Sequence, residues 1–194
     1  MEIAVIGGGL AGVEAAHQVT RLGGNAVLYE MRPTVTTPAH KSGLLGELVC
    51  SNSLKSMDLT NAHGLLKEEL RTLGSIVIET ARETAIPGGK ALVVDREQFA
   101  AKLTDRMENN PRVRIIRREV TSIPEGVVII ASGPLTGGPL AEAIKGLTHA
   151  GNLFFYDAIS PIVDAESIDR ERSFYASRWS KDETGDYLNC HLSE

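Results

Sequence analysis

An α/β fold built on a doubly wound parallel sheet is what this sequence predicts, and three observations in its first 30 residues carry the prediction. A short apolar run, EIAVIG at 2–7, ends in glycine, as a buried parallel strand does. Small and apolar residues then recur at helical spacing through LAGVEAAHQVTRLG at 10–23, closed by Gly23-Gly24. NAVLYE at 25–30 reads as a second buried strand. Strand, glycine turn, helix and strand in that order form a βαβ unit, which implies parallel pairing.

The turn holds Gly7, Gly9 and Gly12 in the G-x-G-x-x-G spacing of a dinucleotide-binding, Rossmann-like domain. Gly7 would make the tight turn out of the strand. Gly9 would let the backbone approach a pyrophosphate, and Gly12 would let the helix pack closely on the sheet. Leu10 and Ala11 open the helix, so their N–H groups point at the same phosphates. Glu30 ends the second strand, where a carboxylate can bind ribose hydroxyls and repel a 2′-phosphate. FAD or NAD therefore fits better than NADP. A late strand, GVVIIASG, ending at Gly133, resembles the strand that returns under the cofactor in two-dinucleotide-type flavoproteins, with Ala131 and Gly133 at its end. That resemblance, which implies Val120 near the adenine, favours FAD.

The remaining elements follow in order. Residues 31–61 are irregular and polar, and a loop of that length in a compact domain is usually functional. A helix is expected over 61–74, with Leu66, Leu70 and Leu73 on one face. SIVIE at 75–79 is expected as a strand, IPGG at 86–89 as a turn, and KALVVD at 90–95 as a strand. REQFAAKLTDRME aligns Phe99, Leu103 and Met107 on one helix face. Three short strands are expected within 112–133, then a helix over 137–147. Residues 152–163 are apolar with Pro161, and the tail from Asp164 is charged and weakly patterned. The expected division is a cofactor domain over 1–150, with its active-site loop at 31–61, and the start of an inserted α+β substrate domain over 151–194.

Composition narrows the function. The chain has 194 residues, 42% of them apolar, enough for a core and against disorder. Only 5% are aromatic, so a base-stacking platform is not indicated, and a net charge of −5 does not advertise nucleic acid. Arg112, Arg114, Arg117 and Arg118 form the densest basic cluster, most simply a solvated strand face. Two distant cysteines, Cys50 and Cys190, make neither a disulfide framework nor a zinc pattern. No leader and no membrane-length apolar run is present, so a cytoplasmic protein with no membrane partner and no metal is expected.

Cys50 sits in GELVCSNSLKS, beside Ser51, Asn52 and Ser53, with Lys55 just beyond. Glu30-Met31-Arg32-Pro33, Pro38-Ala39-His40 and Val49-Cys50-Ser51-Asn52-Ser53 together closely resemble the folate- and FAD-dependent tRNA (uracil-5-)-methyltransferases, the TrmFO type. Val94-Asp95-Arg96-Glu97, Ser132-Gly133-Pro134-Leu135-Thr136, Ser160-Pro161-Ile162-Val163, Glu166-Ser167-Ile168-Asp169 and Asp186-Tyr187-Leu188-Asn189-Cys190 extend the resemblance along the chain. Two features depart from that pattern. His191 stands where the family continues with proline, and family members run on for more than as many residues again. The chain therefore resembles an N-terminal portion, lacking a second active-site cysteine.

The resemblance implies that FAD, reduced by NAD(P)H, assists transfer of a carbon from 5,10-methylenetetrahydrofolate to uracil C5 in the T loop of tRNA, giving 5-methyluridine. Folate carbon at the formaldehyde level needs two further electrons to become methyl, which explains a flavin in a methyltransferase. Cys50 is then the catalytic thiol, attacking the base directly or assisting the second cysteine. Met31 and Arg32 join the cofactor set, and His40, Ser51, Asn52, Ser53, Lys55 and Arg96 become flavin- or substrate-side groups. Cys190 is expected to be structural. Rival readings are a wobble-uridine carboxymethylaminomethyl flavoprotein, a generic FAD oxidoreductase, or a non-catalytic nucleotide-binding fragment.

Overall fold

A computed structural model of the chain describes residues 1–148, 164–176 and 185–190. Its centre is a parallel sheet that begins as the first 30 residues dictate. β1 (Glu2–Ile6) pairs in parallel with β2 (Asn25–Glu30), with Val5 opposite Leu28. Between them α1 (Leu10–Arg21) turns Val13, Ala16 and Val19 inward. β6 (Val113–Arg117) extends the sheet beyond β2, and β7 (Val128–Ile130) returns to the far side of β1. The order β6–β2–β1–β7 changes direction at β1, so the glycine turn after Ile6 lies at the switch point where such sheets bind ligands.

Between β2 and β6 the chain builds a second layer. β3 (Ser53–Ser56), β4 (Ala85–Ile86) and β5 (Ala91–Val94) form a small antiparallel sheet in the order β3–β5–β4. α4 (Arg96–Glu108) starts from Asp95, whose carboxylate accepts the Gln98 N–H at 3.0 Å. The phase expected for α4 holds: Phe99, Leu103 and Met107 are fully buried, joining Val5, Val13, Leu28, Leu45 and Val94 in one core. α5 (Gly138–Thr148) follows β7.

Five expectations need correction. Residues 53–56, expected within the irregular loop over 31–61, form β3, because β5 offers them an antiparallel partner that only the folded chain brings alongside. Residues 75–79 open a helix, α3 (Ile76–Glu83), instead of a strand. Ser75 Oγ caps it by accepting the Ile78 N–H at 3.2 Å, and Glu79 lies in its first turn. A short apolar run satisfies either period, and the cap decided. Among 112–133 only β6 and β7 are strands; Thr121–Ile123 is irregular. α2 (Ala62–Thr72) exists, but Leu66 and Leu73 are 53% and 65% exposed, Leu65 is also exposed, and the buried positions are Gly64 and Lys67. The tail forms a hairpin of β8 (Ser173–Ala176) and β9 (Tyr187–Cys190), tied back by the Tyr187 hydroxyl donating to the Gly88 carbonyl at 2.9 Å. The expected division at 150/151, and the motif at 160–163, fall outside the described residues.

Candidate dinucleotide and thiol site

The glycine turn is shaped by what each glycine touches. Gly7 has φ +106°, and a Cβ there would meet the Ala131 carbonyl; a Cβ on Gly12 would strike the Gly7 carbonyl. Both are demanded by the fold itself. Gly9 is different: a Cβ on it would meet nothing within 4 Å. It is the extended N-cap of α1 with no side-chain cap, and the first helical bond is Val13 N–H to the Gly9 carbonyl at 3.0 Å. The N–H groups of Leu10, Ala11 and Gly12 thus find no backbone acceptor among the described residues, as a helix's first turn must. Open space, orphan donors and the positive end of a helix dipole together make a cradle of the right chemistry for a pyrophosphate.

Glu30 stands behind this turn, 5% exposed. Its Oε2 accepts the Gly8 N–H and Arg32 Nη2, each at 2.9 Å. Its Oε1 accepts the Arg32 N–H at 2.9 Å and Arg32 Nε at 2.8 Å. A carboxylate has about four acceptor positions, and all are taken. Burial alone would raise the Glu30 carboxyl, but the Arg32 and Gly8 hydrogen bonds and the Arg32 charge hold it below the ordinary 4.5.

Arg32, 2% exposed, also reaches Glu47 Oε2 through Nη1 at 2.9 Å. Glu47 accepts the N–H groups of Lys41 and Ser42 and the Ser42 hydroxyl, at 2.8, 3.2 and 2.9 Å. These bonds overcome its burial and keep its carboxyl below the usual range. Segment 41–47 is then fastened to the glycine turn by Gly46 N–H donating to the Gly8 carbonyl at 2.8 Å. Arg117 Nη1 donates to the Gly43 carbonyl at 2.6 Å, and Leu45 N–H to Thr104 Oγ1 at 2.8 Å.

Cys50 follows this anchored segment and is exposed. Its neighbour Asn52 is pinned to β5, donating to and accepting from Val94 at 3.2 and 3.0 Å. Ser51 Oγ accepts the Ser53 N–H and Ser53 Oγ accepts the Lys55 N–H. The thiol is thus held between two fixed points, the glycine turn and the end of β5, where Arg96 begins α4.

The structure therefore joins Gly7, Gly9, Leu10, Ala11, Gly12, Glu30, Arg32 and Ala131 in one site, the Ala131 N–H donating to the Ile6 carbonyl at 2.8 Å. Gly133 follows with φ +74° and open space around it. Met31 accepts the Val35 N–H through its carbonyl, and Val120 is half-buried in the β6–β7 connection. His40 Nδ1 lies 2.6 Å from Thr37 Oγ1, with its pKa lowered by burial and then by the Arg32 charge. Of the basic cluster, Arg112, Arg114 and Arg118 are exposed and Arg117 is half-buried, and Arg118 stacks over the Tyr29 ring at 5.8 Å. Gly8, Ser42 and Glu47 were not singled out by sequence. Gly8 falls between the spaced glycines, and the partners of Glu47 are defined only once the loop closes. Cys190 is exposed at the end of β9. Among the described residues no cluster of His, Cys, Asp or Glu could hold a metal, and no helix is long and apolar enough to cross a membrane.

Known proteins share this architecture and sequence. Residues 2–194 match the family model of glucose inhibited division protein A, GidA. A Symbiobacterium thermophilum protein named methylenetetrahydrofolate--tRNA-(uracil-5-)-methyltransferase TrmFO is 54% identical over 192 residues, covering 98% of this chain and 43% of that protein. An Anoxybacillus flavithermus protein of the same name is 52% identical over 194 residues, 100% of this chain and 45% of the relative. The chain thus spans less than half the length of these curated relatives. The crystal structure of Aquifex aeolicus GidA is similar in fold, with TM-score 0.51 and 20% identity over 64% of this chain and 21% of that one. With its parallel sheet, glycine turn and nearly every residue inside the matched range, this chain belongs to the GidA family.

Proposed function

We propose that the chain carries the cofactor-binding and thiol-bearing part of a TrmFO-type enzyme, which methylates uracil C5 in tRNA with carbon from methylenetetrahydrofolate. The observation that carries this reading is identity of about half over essentially the whole chain to proteins of that name. The open cradle at Gly9 and the exposed, anchored Cys50 support it.

In this reading Leu10, Ala11 and Gly12 donate their N–H groups to the FAD pyrophosphate. Glu30 and Arg32 meet the adenosine ribose as a pair. Because every acceptor position on Glu30 is taken, a ribose hydroxyl enters by replacing one Arg32 bond, and Arg32 keeps its hold on Glu47. An FAD held there by these residues would, once reduced by NAD(P)H, supply the two electrons that turn a methylene carbon into methyl. Cys50, as thiolate, adds to uracil C6 and so makes C5 nucleophilic, or supports a second thiol doing so. The substrate uridine lies in the T loop, and the product is 5-methyluridine.

Flavin absorbance after mixing with FAD and desalting tests the cradle. Transfer of label from methylenetetrahydrofolate to undermodified tRNA tests the reaction, using this chain and one completed to the length of its relatives. Transfer by the completed chain, lost in Cys50→Ala while flavin is retained, is expected. No transfer by either chain overturns the reading.

A further inference from the structure

The inward face of α2, where leucines were expected, holds a charge. Lys67 is 6% exposed. Its Nζ donates to the Ser56 carbonyl in β3 at 2.9 Å and to the His63 carbonyl in the first turn of α2 at 2.8 Å. Among the described residues no carboxylate pairs with it. Burying an ammonium beside neutral carbonyls alone is unfavourable, since buried charges are ordinarily matched by opposite ones.

Its surroundings deepen that imbalance. The ammonium lies at the positive end of the α2 dipole, where a cation is disfavoured. Lys55, the neighbour of Ser56, also makes no ion pair among the described residues, and burial followed by the Lys55 charge lowers the Lys67 pKa. Lys55 itself has φ +66°, a left-handed backbone that residues other than glycine seldom adopt and that recurs at ligand sites. An ammonium has three donors; two are used here, leaving one for a ligand. Lys55 and Ser56 lie in β3, which starts three residues after Cys50, and Lys67 reaches them from α2.

We propose that Lys55 and Lys67, set together where β3 meets the first turn of α2, form an oxyanion site that takes a phosphate or carboxylate group of a bound substrate. The remaining Lys67 N–H meets the anion, and the exposed Lys55 ammonium closes over it. Only the identity of that substrate rests on the function proposed above.

Titrating the chain with inorganic phosphate, and separately with glutarate, tests the site through the lysine side-chain NMR signals. Lys55 and Lys67 are expected to shift together and saturably, while exposed Lys90 stays still. Response to phosphate identifies a nucleotide-type group; response to glutarate identifies a carboxylate such as a folate glutamate tail. Lys55→Asn, which tolerates the left-handed backbone and removes the charge, is expected to weaken binding about tenfold. Absence of a saturable Lys67 shift with either anion, or unchanged affinity in Lys55→Asn, overturns the proposal. The readout needs no turnover, so a chain inactive in methyl transfer can still bind the anion, and an active one can still fail to.

Discussion

At the scale of single residues, the glycines separate fold from ligand. Gly12→Ala forces a Cβ into the Gly7 carbonyl and is expected to lower stability by about 1–3 kcal/mol as well as abolish flavin retention. Gly9→Ala meets open space, so melting should stay within about 0.5 kcal/mol of the parent while FAD affinity falls roughly tenfold. Paired thermal melts and flavin titrations check both; equal effects from the two substitutions would contradict a ligand role for Gly9. Arg32→Ala leaves the buried Glu30 carboxylate without its main partner and is expected to lower urea-unfolding stability by about 3–5 kcal/mol. Gly7, Gly9 and Gly12 were legible from spacing because turn chemistry is local. Glu47 was not, since only the closed loop brings the Lys41 and Ser42 N–H groups and Arg32 onto its carboxylate.

At the scale of elements, α3 and α4 show what a pattern can decide. In α4 three apolar residues recur at helical spacing behind an Asp95 cap, and the helix forms in the expected phase. Leu103→Ala there is expected to destabilise by about 2–5 kcal/mol, read from the urea midpoint. For α3 the apolar run was too short to choose between periods, and the Ser75 cap chose. Ser75 also donates to Glu14 Oε2 at 2.5 Å, tying α3 to α1. Ser75→Ala is expected to remove about 1 kcal/mol, visible as a lower midpoint with unchanged slope. In α2 the leucines were legible but their direction was not. The helix approaches β3 through Gly64, whose missing side chain admits the Asp58 backbone, and this turns Leu66 and Leu73 outward.

For the molecule as a whole, proton linkage follows from the anchored loop. His40, Glu30 and Glu47 all have pKa values lowered by folding, so the unfolded chain takes up each proton at a higher pH than the folded one does. Stability therefore rises with pH across each window. Urea midpoints should be level from 6.5 up to the alkaline range in which Lys67, also lowered by folding, titrates and adds a further rise; they should decline as acidity passes 6.5 and His40 in the unfolded chain charges, then fall more steeply below 4.5. Glu47→Gln should flatten part of the lower limb. A midpoint independent of pH between 3 and 6 would contradict the buried Glu30–Arg32–Glu47 arrangement.

The amino-acid order alone determined the βαβ start, the glycine turn at its switch point and the inward face of α4. All three rest on strand and helix periods and on turn stereochemistry, which short stretches of chain set by themselves. It also carried the motifs around Cys50 by which a family could be named. Tertiary structure decided which of those groups have capacity left to bind anything. Glu30 is saturated because Arg32 and Gly8 converge on it, Gly9 is open because none of the described residues comes within 4 Å of where its Cβ would be, and Lys67 is buried because the backbone after β3 receives α2 at Gly64. Hydrogen-bonding capacity is spent or spared only by partners distant in sequence, and those are known only once the chain has closed on itself.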